Sequence, residues 1–176
     1  MTGSYSGGAE QVDDAARDRL TAERDRIRAA YLNPRDERPP SSARGVHHVA
    51  LICADVERTT RFFQEVLGFP LTTMFENRDL PGSTHFFFDL GAGNTIAYFD
   101  LPGVDPGPYD EVLGGLHHLA ISIELDQWQK AKARLDAEGI PYDHVDGTSL
   151  YFRGPDGERL ELIADPLRWM YGERVD

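Results

Sequence analysis

A chain of 176 residues has room for one domain, or for two small repeats that share a core, and its 40% hydrophobic and 10% aromatic content is that of a folded protein. A formal net charge of −12, with no run of Lys and Arg to offset it, excludes nucleic acid and anionic membrane as partners. Cys53 is the single cysteine, which excludes an intrachain disulfide and a cysteine-rich zinc site. The polar start from Met1 to Gly8 lacks the pattern of a signal peptide, and no apolar run is long enough to span a bilayer. The cytoplasm is the expected setting.

Residues 1–43 read as an N-terminal extension. From Ala9 to Tyr31 the chain is rich in Ala, Arg, Asp and Glu, and Val12, Ala16, Leu20, Ile27 and Tyr31 recur near helical spacing. Asn33-Pro34 stops that helix, and Arg38-Pro39-Pro40-Ser41-Ser42 reads as a linker. The body, residues 44–167, then repeats itself, in units of about 45–101 and 115–166. His47-His48-Val49-Ala50-Leu51-Ile52 returns as His117-His118-Leu119-Ala120-Ile121-Ser122, each a short run suited to a buried strand. A helical stretch follows in both copies, Val56 to Leu67 and Gln127 to Glu138. Gly68-Phe69-Pro70 and Gly139-Ile140-Pro141 end these helices with a left-handed cap and a proline stop. Three strands come next in each copy: Leu71 to Glu76, Thr84 to Leu90 and Thr95 to Phe99, then Tyr142 to Val145, Ser149 to Phe152 and Leu160 to Ile163. Leu101 to Leu116, rich in Gly and Pro, joins the units and is a candidate cover for a site; residues 168–176 form a tail. The expected class is α+β: two paired βαβββ units that must share a core, because neither alone buries enough surface.

Strand side chains alternate, so one histidine of each pair can face a common cleft while its neighbour faces away. Glu161 stands between Leu160 and Leu162, on the face opposite them. A carboxylate in such a strand is costly to bury unless it is paired, protonated or bound to a metal. His48, His118 and Glu161 are therefore the candidate metal ligands. Two histidines and one carboxylate with open positions suit Fe(II), and also Mn(II), Co(II), Ni(II) or Zn(II).

With these residues the body from about Gly45 to Pro166 resembles the vicinal oxygen chelate superfamily, which includes glyoxalase I, methylmalonyl-CoA epimerase, antibiotic resistance proteins and extradiol dioxygenases. The resemblance implies a half-barrel of paired βαβββ units with ligands on the first and last strands of each. By position these fall on His48, His118 and Glu161, while the first unit has Ala97 at the fourth place. A three-ligand set points to the dioxygenase branch. The stretch His144 to Glu161, with Leu150-Tyr151 and the Gly154-Pro155-Asp156-Gly157 turn, is similar to the extradiol signature, from which Tyr142 and Gly154 depart. That branch implies Fe(II), dioxygen and a small catecholic or vicinal-oxygen substrate, with His144 hydrogen-bonding substrate or dioxygen and Tyr151 orienting a substrate hydroxyl. The branch also uses a histidine on the last strand of the first unit; Tyr98 and Phe99 stand there, which leaves His85 on the preceding strand. An isomerase or lyase with a non-redox metal, and a binding protein of the resistance type, are the alternatives. A homodimer is common in the superfamily, and the N-terminal helix is a candidate contact for the body or for a partner subunit.

Overall fold

The computed structural model describes residues 13–43, 45–164, 169–170 and 173–174. The chain divides into two compact units, the second beginning at Gly45. The first contains α1 (Asp14–Tyr31), and the Asp13 carboxylate starts it by accepting the Ala16 N–H at 2.6 Å. A 3-10 turn, Arg35–Glu37, follows Pro34. Residues 9–12 of the expected helix lie outside the described residues.

The second unit carries the repeats. The first copy is β1 (His48–Cys53), α2 (Val56–Arg61), β2 (Leu71–Glu76), β3 (Thr84–Asp89) and β4 (Thr95–Asp100). The second is β5 (Leu119–Ser122), α3 (Leu125–Ala137), β6 (Tyr142–Val145), β7 (Ser149–Arg153) and β8 (Arg159–Ile163). Their sheets have the same order, β1-β4-β3-β2 and β5-β8-β7-β6, with the first pair parallel and the others antiparallel. This is the α+β architecture of two βαβββ copies that the repeat predicts. Gly68 and Gly139 take the left-handed conformation at the helix ends, as the cap requires.

Two local features differ from the expectation. The first helix is α-helical only to Arg61 and continues as a π-helix over Phe62–Leu67. The wider turn lets Phe62, Phe63, Val66 and Leu67 all reach the core. In the tail, β9 (Trp169–Met170) pairs with β10 (Glu173–Arg174); two-residue strands are too short to show alternation in sequence. Residues 168, 171, 172, 175 and 176 of that tail lie outside the described residues.

The two copies share one apolar cluster, as their size demands. Phe63 stacks on Phe88 at 5.0 Å, and Phe62 meets Phe152 of the other copy at 6.2 Å. Polar ties reinforce that seam: Tyr98 donates its hydroxyl to Glu158 at 2.8 Å, and Arg134 donates to the carbonyls of Val66 and Leu67. Alternation then decides what remains outside. Phe86 and Phe88 are fully buried, Phe87 points the other way, and in β1 His48, Ala50 and Ile52 are exposed while Val49, Leu51 and Cys53 turn inward. Each sheet therefore has a core face and a second, open face. Among the described residues no helix is long and apolar enough to cross a membrane.

Candidate functional site

The open face of the second sheet gathers the richer set of polar groups. Glu161 on β8 lies opposite Ala120 of β5 on one side and Tyr151 of β7 on the other, and it is only 4% exposed. Its Oε1 accepts the Ser149 hydroxyl at 2.6 Å, and its Oε2 lies 3.3 Å from His118 Nε2. The second ring nitrogen of His118, Nδ1, is 2.6 Å from His117 Nδ1. Tyr151 meets the His118 ring edge-on at 5.7 Å, and the Arg159 guanidinium lies over Tyr151 at 5.2 Å. Burial holds the His118 pKa below its ordinary value despite the opposing pull of Glu161, so at neutral pH the imidazole is uncharged. The contact is therefore not an ion pair, although its two groups are of the types that form one.

This pair fits a divalent ion. Two donors bound at about 2.1 Å to one ion, at angles between square and tetrahedral, stand about 3.0–3.4 Å apart. The 3.3 Å between His118 Nε2 and Glu161 Oε2 lies in that range, and each group's other polar atom is already engaged.

The first sheet repeats the frame with different contents. Ala97 lies opposite Ala50 as Glu161 lies opposite Ala120, so Ala97 occupies the place equivalent to Glu161, as the alignment of the repeats predicts. His48 stands two residues before Ala50, its Nδ1 2.8 Å from His47 Nδ1 and its ring 6.0 Å from Phe87. His85 shares this face: it stacks on Phe99 at 3.8 Å, and the Phe87 ring lies tilted beside it at 4.4 Å. Its Nε2 is buried with no hydrogen-bond partner. Burial, and to a lesser degree the nearby His48, hold its pKa below the ordinary value.

Of the expected ligands, then, the structure brings His118 and Glu161 together and leaves His48 on the other sheet. Among the described residues, no three His, Cys, Asp or Glu side chains form a group that could hold a metal within one chain. Tyr151 is beside the pair. His144 is not: it lies opposite Leu150, on the core face of its sheet, with its ring 5.4 Å from Trp128. Asp143, opposite Tyr151, takes the open-face position instead. The linker reaches the neighbourhood of the pair through Glu111, 3.9 Å from both His117 and Arg159. Its residues 101–109 line a cavity of about 790 Å³ with Ala50, Ile52, Cys53, Asp156 and Glu158, and none of His48, His118 or Glu161 belongs to that lining. Ser149 and Arg159 were missed in sequence. Alternation along β7 from Tyr151, and along β8 from Glu161, is the signal that places them on this face.

The sequence model of the glyoxalase/bleomycin resistance protein/dioxygenase superfamily matches residues 45–162. The chain is 24% identical over 139 residues to a protein of Bacillus subtilis (strain 168) named as a candidate ring-cleaving dioxygenase, MhqA, covering 73% of this chain. It spans only 42% of that relative's length. Among solved structures, a glyoxylase/bleomycin resistance protein/dioxygenase domain from Frankia sp. EAN1pec superposes with a TM-score of 0.60 at 24% identity, over 69% of this chain and 92% of that one. The fosfomycin resistance protein FosX of Listeria monocytogenes, complexed with Mn(II) and sulfate, gives a TM-score of 0.52 at 25% identity, over 71% and 95%.

Proposed function

Since the chain belongs to the glyoxalase/bleomycin resistance protein/dioxygenase superfamily, we propose that it is a metal-dependent enzyme, an Fe(II) extradiol-type dioxygenase acting on a small catecholic or vicinal-oxygen substrate. The ligands in this reading are His118 and Glu161 of one chain and His48 of a second copy, in a homodimer. The observation that carries it is the 3.3 Å approach of His118 Nε2 to Glu161 Oε2, a half-site whose remaining atoms are tied off. The open face of the first sheet supplies what that half-site lacks, a histidine at the equivalent position on its first strand. It also carries exposed Phe75 and Ile52 beside Phe87 and Phe99, an apolar surface for a partner sheet to cover.

A bound divalent ion supplies a Lewis acid and, as Fe(II), a redox centre for dioxygen. The chain's own residues do the rest. His85 is uncharged at neutral pH and has an unused Nε2, so it can take the proton of a substrate hydroxyl. Tyr151, beside His118, orients that hydroxyl, and the rings of Phe87 and Phe99 exclude water and flank an aromatic substrate. His144 has no role in this reading. The buried, lone Cys53 suits a reducing cytoplasm.

Ala97 favours the dioxygenase branch, because it leaves three protein ligands and more open positions for substrate and dioxygen. Manganese, nickel, cobalt or zinc in the same site would instead suit the isomerase or lyase reading, which the Mn(II) in the FosX neighbour supports. Elemental analysis of anaerobically purified protein, with oxygen uptake on a catechol panel, separates the two. About one iron per chain with uptake supports ring cleavage. Another first-row ion without uptake moves the assignment to the isomerase or lyase branch. No ion, even after reconstitution, ends the enzyme reading.

A further inference from the structure

The paired histidines appear twice, and the metal reading uses only the second of each pair. His47 and His117 nevertheless make the same contact in both copies: Nδ1 to Nδ1, at 2.8 Å with His48 and at 2.6 Å with His118. A contact between two imidazole nitrogens at this distance requires one proton between them. We propose that His47 and His117 are positioning residues for the metal site, each accepting at Nδ1 the Nδ1–H of the histidine that follows it. The lone pair of His48 and of His118 is thereby confined to Nε2, the atom that would face an ion, and the ring is held against rotation.

The second copy carries a further element. To accept at Nδ1, His117 must hold its proton on Nε2, and that nitrogen faces the Glu111 carboxylate at 3.9 Å. Glu111 comes from the segment joining the repeats, and its other oxygen lies 3.9 Å from Arg159. At 3.9 Å, beyond hydrogen-bond reach, the Glu111 carboxylate acts on His117 through its charge and favours the proton on Nε2, while the contact that orients His118 is the one to His117 Nδ1. A ligating histidine usually donates its second N–H to a carboxylate, a backbone carbonyl or water. Here an imidazole is interposed, with the carboxylate beyond it. The first pair is exposed and the second part-buried, so the second should have the larger effect.

This inference rests on the metal reading above, and its test keeps the two apart. Cobalt(II) would be titrated into the full chain and followed by its visible absorption, in the wild type and in His118→Ala, His117→Phe and His117→Asn. In the asparagine variant the side-chain Oδ1 takes the place of Nδ1 and still accepts. The expected result is a Kd raised about 10- to 100-fold by His117→Phe and restored to within a few-fold by His117→Asn. Equal affinity of His117→Phe and wild type, with binding lost in His118→Ala, overturns the positioning role and leaves the ligand set standing. No binding by the wild type removes both. As a check that needs no variant to fold, zinc-loaded, ¹⁵N-histidine-labelled wild type should show a slowly exchanging imidazole proton on His118 Nδ1. That proton should couple to a second nitrogen across the hydrogen bond, and its absence overturns the proposal.

Discussion

At the scale of single residues, the site is a set of groups poorly satisfied without a cation. Glu161 is a nearly buried carboxylate whose named partners are one hydroxyl and an uncharged imidazole, and neither supplies a compensating charge. Glu161→Gln keeps the shape and the acceptor for Ser149 but removes the charge. We expect it to weaken divalent-ion binding by about 100-fold or more, above the range for outer-shell changes. In the metal-free protein the same change should raise Tm, because a buried charge has been removed. Calorimetry with and without cobalt(II) reads both, and a fall in the metal-free Tm would contradict this account of Glu161. His85 gives a pH-dependent counterpart. Its folded pKa lies below its ordinary value of about 6.5, so as pH falls through 6.5 the unfolded chain takes up a proton that the folded chain resists. Stability from this group is complete above 6.5 and is lost as pH drops towards the folded pKa. His85→Phe lacks this penalty. Its Tm relative to wild type should therefore increase between pH 7.5 and pH 5; a constant difference would show that His85 is not the group responsible.

At the scale of elements, the turn before β8 shows how a tight fit can override a family pattern. Gly154 departs from the extradiol signature, and the reason is steric: a Cβ there would overlap the Glu158 carboxylate. That carboxylate accepts the Tyr98 hydroxyl from the other copy and the Asp156 N–H in its own turn. Gly154→Ala should push Glu158 off both donors inside the shared core, costing about 1–3 kcal/mol, the range for stranding a buried polar partner. Urea denaturation would measure it, and a loss below about 0.5 kcal/mol would mean that the turn relaxes instead. The sequence could not reveal this, because no local pattern reports that two segments 60 residues apart share a hydrogen bond. What it did reveal was local. The duplicated His-His strands, the glycine caps and Glu161 between two leucines all follow from alternation and capping within a few residues. His144 shows the limit. Its spacing from Glu161 matches the signature, but its face depends on the parity set by the three residues of the β6–β7 turn, where Asp146 and Gly147 both adopt positive φ. Register alone turns it towards Trp128.

At the scale of the whole molecule, the question is how two half-sites become one. Within a chain the two sheets join through a common core and the ties of Tyr98 and Arg134, and this packing leaves both ligand-bearing faces open. A reciprocal dimer would place the first sheet of each copy against the second sheet of the other and build two equivalent sites. It would also cover Phe75 and Ile52, now 47% and 44% exposed. Complementation decides the matter. His48→Ala alone and Glu161→Ala alone should each abolish tight cobalt(II) binding, since every site in either homodimer lacks a ligand. When the two variants are co-expressed, the mixed dimer carries one doubly defective site and one in which the Glu161→Ala chain supplies His48 while the His48→Ala chain supplies His118 and Glu161. Random pairing makes half of all dimers mixed, so tight binding should return to about one quarter of the wild-type capacity. Activity on whatever substrate the oxygen-uptake panel identifies should recover in the same proportion. If the ligands converged within one chain, mixing would restore nothing, because each chain would carry its own defect into its own site. Recovery near one quarter thus assigns His48 to the partner subunit's pair, and no recovery in a verified mixed dimer returns the site to a single chain.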